Sequence, residues 1–216
     1  MTREATIEHS LSYFDNGHFK KDLSKLIEIP TESQVKKGLE HCLKYLRSSM
    51  VPAFESMGFE TKIYENPISN AGPILLATRL EDPSLPTVLG YGHGDVILGF
   101  DESWTKGNGP WKATQVGDLL YGRGTADNKS QHWINISALR SLLSIKGSLG
   151  FNAKFIIETS EENGSKDYIR VPAVTANKDF INSLKSSILQ SSTGKRFTSS
   201  IRCSEKFNKC PRLLNL

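Results

Sequence analysis

The chain has 216 residues, of which 38% are hydrophobic and 9% aromatic, which is enough to bury one sizeable core. Its formal net charge of +4 is too small for this length to indicate a nucleic-acid or acidic-membrane partner, and we expect neither. Three cysteines form no even disulfide framework and match no zinc-finger spacing, so we interpret them as reduced thiols. Residues 1–23 contain no long apolar stretch, which predicts a cytoplasmic protein without a membrane span.

Two amphipathic helices are predicted at the start of the chain. Apolar residues recur at near-helical spacing over residues 11–27 and again over residues 39–57, after the break at Pro30. Pro52 should kink or split the second helix, because proline lacks a backbone donor. Gly58 is a typical residue to end it.

Short strands follow the helices. Residues 59–64 alternate apolar and polar side chains, while residues 73–78 and 87–91 are largely apolar and are bounded by turn formers. Residues 95–117 are rich in Gly, Asp and Trp without periodicity, which predicts a long loop with functional potential. Residues 119–121 predict a further brief strand.

A third helix and a buried strand come next. The helix is predicted over residues 127–146 and ends at Gly147, and the strand is predicted over residues 151–159. Helices that flank several strands predict an α/β sandwich with a mixed or largely parallel sheet. Such sheets present functional groups at the carboxyl ends of their strands.

Three short motifs lie where a predicted strand ends or a helix begins. They are GHGD at residues 92–95, YGRGTADNK at residues 121–129 and ETSEENGS at residues 158–165. Each motif is weak alone, because a His-x-Asp pair is as often structural and adjacent acids are common in solvated turns. Together they supply what a hydrolytic zinc pair needs, namely a neutral imidazole, a carboxylate that bridges both ions and a free carboxylate that acts as base.

The residue types suggest one role for each side chain. His93 would bind one ion, Asp127 would bridge both ions and Glu162 would bind the second. Glu161 would deprotonate the attacking water. Asp95 cannot easily reach the metal held by His93, so we expect it to accept the other N–H of the imidazole and to orient the ring.

Three other conspicuous residues have a structural interpretation that we prefer to a functional one. Lys129 and Arg123 are expected to hold the loop and the start of the third helix together, although either could touch substrate. His132 is expected to make a packing or polar contact rather than to bind metal.

In this order the motifs resemble the dizinc family of aminoacylase, acetylornithine deacetylase, succinyl-diaminopimelate desuccinylase, carnosinase and glutamate carboxypeptidase. The resemblance covers residues 19–165 and is densest over residues 89–129, where LGYGHGDVILGFDESW and PWKATQVGDLLYGRGTADNK look like the dipeptidase-type branch. It implies a zinc-exopeptidase fold, a three-layer α/β sandwich whose mixed, mostly parallel sheet is flanked by helices.

The resemblance also implies an activity and a set of site residues. It implies hydrolysis of amide or peptide bonds in small peptides or N-acyl amino acids, with two Zn2+ ions for which Co2+ or Mn2+ can substitute. The metal ligands carry over to His93, Asp127 and Glu162. The orienting acid carries over to Asp95, and the catalytic base to Glu161. No other cofactor is implied.

The composition changes after Glu162, where ten Lys and Arg residues face three acidic residues and no histidine follows. The further acidic ligand, the distal histidine and the lid or dimerisation domain of the family are not recognisable there. We therefore predict that residues 1–165 are the N-terminal part of a metallopeptidase catalytic domain, incomplete at its C-terminal side. Residues 166–216 are predicted to be a basic, Ser-rich tail that is disordered or non-homologous. The homodimer typical of the family would lack its dimerisation domain.

Three interpretations of the whole chain stay open at this point. The first is a truncated zinc-dependent dipeptidase or deacylase. The second is a non-catalytic remnant that binds metal weakly or associates with a partner. The third is an unrelated α/β binding module with coincidental acidic residues.

Overall fold

The computed structural model describes residues 2–66 and 68–165, which belong to one compact unit. The predicted tail over residues 166–216 lies outside the described residues. The domain boundary predicted between residues 165 and 166 therefore stays a prediction. The described helices are α1 (Arg3–Asp15), α2 (His18–Ile27), α3 (Lys36–Tyr45), α4 (Val51–Glu55) and α5 (Lys129–Lys146). The described strands are β1 (Glu60–Tyr64), β2 (Ile74–Arg79), β3 (Thr87–His93), β4 (Thr114–Val116), β5 (Leu119–Tyr121) and β6 (Asn152–Glu158).

The first predicted helix is in fact two helices. Gly17 has a left-handed backbone conformation with φ of 75°, which ends α1 and starts α2. Leu11 and Phe14 of α1 are 44% and 54% exposed, whereas the apolar side of α2 is buried. The apolar spacing across residues 11–27 therefore does not mark one continuous core face.

The second predicted helix is split, as Pro52 predicts. α3 passes through a π-helical turn, Leu46–Met50, into α4, and Pro52 lies in the first turn of α4. Pro52 has no N–H to donate to the preceding turn, and the wider π-helical turn just before it interrupts the regular α-helical bonding at this point. Gly58, with φ of 73°, follows α4 in the left-handed conformation expected of a residue that ends a helix.

The main sheet has the strand order β1-β2-β6-β3. The pairs β1–β2 and β2–β6 are antiparallel, and β3–β6 is parallel. The sheet is mixed and flanked by helices, as predicted, but it is not mostly parallel over the described strands. The reason is the short connection from β1 to β2, which allows only a hairpin, whereas the long connection with α5 between β3 and β6 permits a parallel crossover.

The core lies on one face of this sheet. Alternate residues of β2 and β6 point into it, and helices α2 to α5 cover them with their own apolar side chains. The strand contribution consists of Leu75, Ala77, Ala153, Phe155 and Ile157.

The predicted loop over residues 95–117 contains more structure than expected. It includes a 3₁₀ turn, Asp101–Ser103, and ends in β4, which forms a two-stranded hairpin with the predicted strand β5. α5 ends at Gly147, with φ of 77°, as predicted. No helix among the described residues has the length and apolar character needed to span a bilayer.

Gly90 of β3 is a position where packing requires glycine. A Cβ atom there would overlap the ring of Phe155, which is itself packed against Phe54 with ring centroids 5.3 Å apart. We expect Gly90→Ala to lower the free energy of unfolding by about 2 kcal/mol, the usual cost of overpacking a filled core. Urea-induced unfolding measures this. Val88→Ala is the matched control, because Val88 lies on the same strand and is 46% exposed, so a loss as large as that of Gly90→Ala would contradict the prediction.

Candidate metal centre

The five residues predicted for the site come together at the carboxyl edge of the sheet. β3 ends at His93, β6 ends at Glu158, and these two residues are paired in the parallel register. Because parallel neighbours end at the same edge, the segments that follow them meet there. The 3₁₀ turn Glu161–Asn163 begins shortly after β6 ends at Glu158. Asp127 precedes Asn128, the residue before α5, and forms a cis peptide bond with it.

The imidazole of His93 faces acidic groups with both nitrogens. Its side chain is 5% exposed, and Nε2 lies 2.9 Å from Oδ1 of Asp127 and 3.8 Å from Oε2 of Glu161. Nδ1 lies 3.1 Å from the main-chain oxygen of Asp95 and 3.4 Å from its Oδ1. The ring therefore presents Nε2 to the open side of the site and Nδ1 to Asp95.

Asp95 organises more of the site than the sequence predicted. Its side chain is fully buried and accepts a hydrogen bond of 2.6 Å from Oγ of Ser33. The main-chain N–H groups of Glu161 and Glu162 donate to its two carboxylate oxygens at 3.2 and 3.1 Å. Asp95 thus fixes the turn that carries both glutamates as well as contacting the imidazole of His93.

The donor atoms fit a divalent metal ion. His93, Glu161 and Glu162 each place a potential ligand atom within 4.8 Å of the others. Asp127 borders this group through its contact with His93, and its side chain is 68% exposed. One imidazole with several carboxylates is a donor set typical of zinc in hydrolases.

Carboxylates outnumber the single imidazole at this edge of the sheet, and this excess of negative charge favours a bound cation. Burial lowers the pKa of His93, but the hydrogen bond and charge of Asp95, together with the charges of Asp127 and Glu161, raise it to about 9. Burial raises the pKa of Glu162, and the neighbouring charge of Asp127 raises it further. A cation among these carboxylates would relieve their mutual repulsion.

A metal ion held by His93 would therefore displace a proton from its imidazole. Its pKa of about 9 means that the metal-free imidazole is protonated at neutral pH, whereas a metal ligand must be neutral. We expect Co2+ to release about one proton per chain at pH 7 and to bind roughly tenfold more tightly for each pH unit gained below about pH 9. Calorimetric titrations in buffers with different ionisation enthalpies measure the release.

His41→Gln is the control for that titration. The Nδ1 atom of His41 lies 2.9 Å from the main-chain oxygen of Pro30, so the substitution should leave the proton release unchanged. Binding of Co2+ without proton release at pH 7 would contradict the position and protonation assigned to His93.

Two residues of the second motif hold parts of the chain together. Lys129 is fully buried, and its Nζ donates to the main-chain oxygens of Leu26 and Ile29 at 2.9 and 2.7 Å. It therefore ties the start of α5 to the end of α2. Arg123 donates to the main-chain oxygen of Gly99 at 3.3 Å, and its guanidinium lies 5.5 Å from the ring centroid of Trp104.

Three residues that contact the site or lie next to it were not predicted from the sequence. Ser33 donates to Asp95, the side-chain oxygen of Asn128 accepts from the main-chain N–H of His93 at 3.2 Å, and Tyr45 contacts His132. Asn128 lies inside the second motif, so its place beside Asp127 was a usable signal. Ser33 and Tyr45 come from distant segments, and no local pattern marks them.

Comparisons with known proteins agree with the geometry. The model of the peptidase family M20/M25/M40 matches residues 89–196, which reaches beyond Ser165. The Beta-Ala-His dipeptidase of Mus musculus is 43% identical over 94 residues, which are 43% of this chain and 19% of the mouse protein. The succinyl-diaminopimelate desuccinylase of Novosphingobium aromaticivorans is 29% identical over 152 residues, which are 69% of this chain and 36% of that protein.

A solved structure gives the same result for the fold. The crystal structure of human carnosine dipeptidase 1 superposes with a TM-score of 0.66 and 27% identity, covering 76% of this chain and 37% of that one. The chain thus spans about a fifth of the mouse dipeptidase and little more than a third of the human structure. The family match, the mixed α/β fold and the motifs agree, and the chain belongs to the peptidase family M20/M25/M40.

Proposed function

We propose that this chain carries the zinc-binding and general-base part of a hydrolase that cleaves amide or peptide bonds in small substrates. The observation that carries the proposal is the convergence of one imidazole and several carboxylates at the carboxyl edge of the sheet. These groups belong to His93, Asp127, Glu161 and Glu162, and Asp95 supports them from behind.

Each of these residues has a distinct role in the proposal. His93 and Glu162 would each hold one ion, and Asp127 would be the ligand shared by both. Zn2+ is the proposed ion, with Co2+ or Mn2+ as substitutes, because imidazole and carboxylate donors accept all three. Asp95 orients the imidazole of His93 and fixes the turn of the two glutamates, as its hydrogen bonds to their N–H groups suggest.

Glu161 is the proposed general base. Bound zinc would acidify the attacking water and polarise the scissile carbonyl. The Glu161 carboxylate takes one proton from that water as the new C–O bond forms, and it delivers the proton to the leaving nitrogen as the C–N bond breaks. Its side chain is 43% exposed, which leaves room for substrate to approach.

Small peptides or N-acyl amino acids are the proposed substrates. The mouse relative is named a Beta-Ala-His dipeptidase, and the bacterial relative a succinyl-diaminopimelate desuccinylase. We extend the dipeptide class to this chain first, because the identity to the mouse protein is higher. The N-acyl class is the second choice.

Elemental analysis combined with a hydrolysis assay tests the proposal. The purified chain should carry two zinc ions and hydrolyse members of a dipeptide and N-acyl amino acid panel, with activity that a chelator removes and Zn2+ restores. Asp127→Ala should lose both zinc and turnover. A chain without metal affinity would overturn the proposal, and a chain that binds zinc but turns over no substrate would be a non-catalytic member of the family.

A further inference from the structure

A series of linked hydrogen bonds runs from helices α3 and α5 to the main chain of His93. Tyr45 on α3 and His132 on α5 are both fully buried. The Tyr45 hydroxyl lies 2.5 Å from Nε2 of His132, whose Nδ1 lies 3.3 Å from Oδ1 of Asn128. The same Oδ1 atom accepts the main-chain N–H of His93 at 3.2 Å.

The donor and acceptor of each of these hydrogen bonds follow from the groups at the two ends of the series, the main-chain N–H of His93 and the hydroxyl of Tyr45. A main-chain N–H can only donate, so the Asn128 atom that faces His93 is the oxygen. The other amide atom of Asn128, Nδ2, donates to Oε1 of Gln131 at 2.9 Å, which agrees with this orientation. Since the Asn128 oxygen can only accept, Nδ1 of His132 carries a proton and donates it.

The remaining nitrogen of His132 then accepts a bond from Tyr45. Burial raises the pKa of Tyr45 well above its ordinary value, so the hydroxyl keeps its proton and donates. Burial lowers the pKa of His132 to about 3, with the positive charges of His93 and Lys129 as further causes, so the ring stays neutral. A neutral ring with Nδ1–H has an acceptor at Nε2, where the Tyr45 hydroxyl lies.

We infer that Tyr45 and His132 are positioning residues, which fix Asn128 and through it the main chain of His93 and the adjacent Asp127. Asn128 is bonded to Asp127 and hydrogen-bonded to His93, so its placement sets the distance between two proposed metal ligands. Groups that orient ligands commonly change metal affinity when they are lost. The expected change in Co2+ affinity rests on the proposed function, whereas the expected protonation of His132 and hydrogen exchange at the His93 amide do not.

Packing also places Tyr45 and His132 close to the main chain of His93. A Cβ atom on Gly92 would approach Cβ of His132 to 2.6 Å, and one on Gly94 would approach the Tyr45 ring to 2.6 Å. The two glycines flank His93 in the chain, so the rings of His132 and Tyr45 lie directly against the main chain on both sides of that ligand. A shift of either ring would therefore move the end of β3.

The first test reads the protonation of His132 directly. Long-range proton–nitrogen NMR spectra of the metal-free, full-length chain should show His132 as the neutral Nδ1–H form from pH 6 to 8. Tyr45→Phe, which keeps the ring but removes the hydroxyl, should shift the Nε2 resonance. A proton on Nε2, or on both nitrogens, would overturn the inference.

The second test compares substitutions of His132 in the full-length chain. His132→Leu should weaken Co2+ binding about tenfold, as loss of a ligand-orienting partner commonly does, and should speed hydrogen exchange at the His93 amide. His132→Asn should restore most of both properties, because its side-chain NH2 can donate near the position of Nδ1. Ser141→Ala is the control, since Ser141 is also buried on α5 but contacts His9 at 3.1 Å.

The outcomes separate this inference from the proposed function. Wild-type Co2+ affinity and wild-type His93 exchange in both His132→Leu and Tyr45→Phe would overturn the positioning role, as would equal behaviour of His132→Asn and His132→Leu. If His132→Leu does not fold, Tyr45→Phe and His132→Asn decide the comparison. A wild-type chain that binds no Co2+ would overturn the proposed function instead, and exchange at the His93 amide would then decide the positioning role.

Discussion

Glu161→Gln should lower turnover by about a thousandfold, within the usual range for loss of a general base, while metal content stays at the wild-type value. Glutamine has almost the same shape as glutamate but cannot accept the proton of the attacking water. The main-chain N–H of residue 161, which donates to Asp95, is unchanged by the substitution. Steady-state hydrolysis of the best dipeptide substrate, with elemental analysis of the same sample, measures both quantities.

Glu162→Gln is the matched control for this experiment. It is the same chemical change one residue along, and its main-chain N–H makes the corresponding bond to Asp95. We expect it to reduce metal affinity, whereas Glu161→Gln should not. Loss of metal in Glu161→Gln with retained metal in Glu162→Gln would reverse the two assignments, and full activity in Glu161→Gln would exclude Glu161 as the base.

Asp95→Asn should lower the free energy of unfolding by about 3 kcal/mol, because hydrogen bonds to a buried charged group contribute roughly 1.5–3 kcal/mol each. Three donors point at the carboxylate, from Ser33, Glu161 and Glu162. An asparagine would turn its NH2 group toward at least one of them, so that two donors would face each other. Urea-induced unfolding of the metal-free chain measures the loss.

Ser33→Ala serves as the graded control for Asp95→Asn. It removes one donor and leaves the carboxylate with its two main-chain bonds, so its cost should be about 1.5 kcal/mol, the lower end of the range for one hydrogen bond to a buried charged group. Both variants should also bind Co2+ less tightly than the wild type, and Asp95→Asn should have the lower affinity of the two. Unfolding of Asp95→Asn within about 0.5 kcal/mol of wild type, the range of an ordinary surface change, would show that the carboxylate does not organise the turn.

The elements predicted well from the sequence are those whose signal is local. The period-two pattern of β1, the apolar run of β6 and the left-handed Gly58 and Gly147 each depend on a few adjacent residues. The edge at which His93 and the two glutamates meet was also predictable, because it follows from a strand end and a general rule for parallel neighbours.

The features that the sequence did not predict depend on contacts between distant segments. Ser33 reaches Asp95 across 62 positions and Tyr45 reaches His132 across 87, and neither pair has a local pattern. The break at Gly17 was missed because apolar spacing continued across it, although Leu11 and Phe14 are exposed. The expected mostly parallel sheet came from the order of helices and strands and from the family resemblance, and both overlooked the hairpin of β1 and β2.

The place of β6 between β2 and β3 has a consequence for how the chain folds as the ribosome releases it. β2 and β3 are not paired with each other, and both are joined to the sheet through β6, which is the last of these strands to be synthesised. Until residues 152–158 emerge, the β1–β2 hairpin and β3 cannot join one sheet. Their unpaired backbone N–H and C=O groups are then free to form incorrect strand pairs. The edge that carries His93 is therefore assembled late, and a nascent chain stalled before residue 152 should depend on chaperones that shield exposed strands.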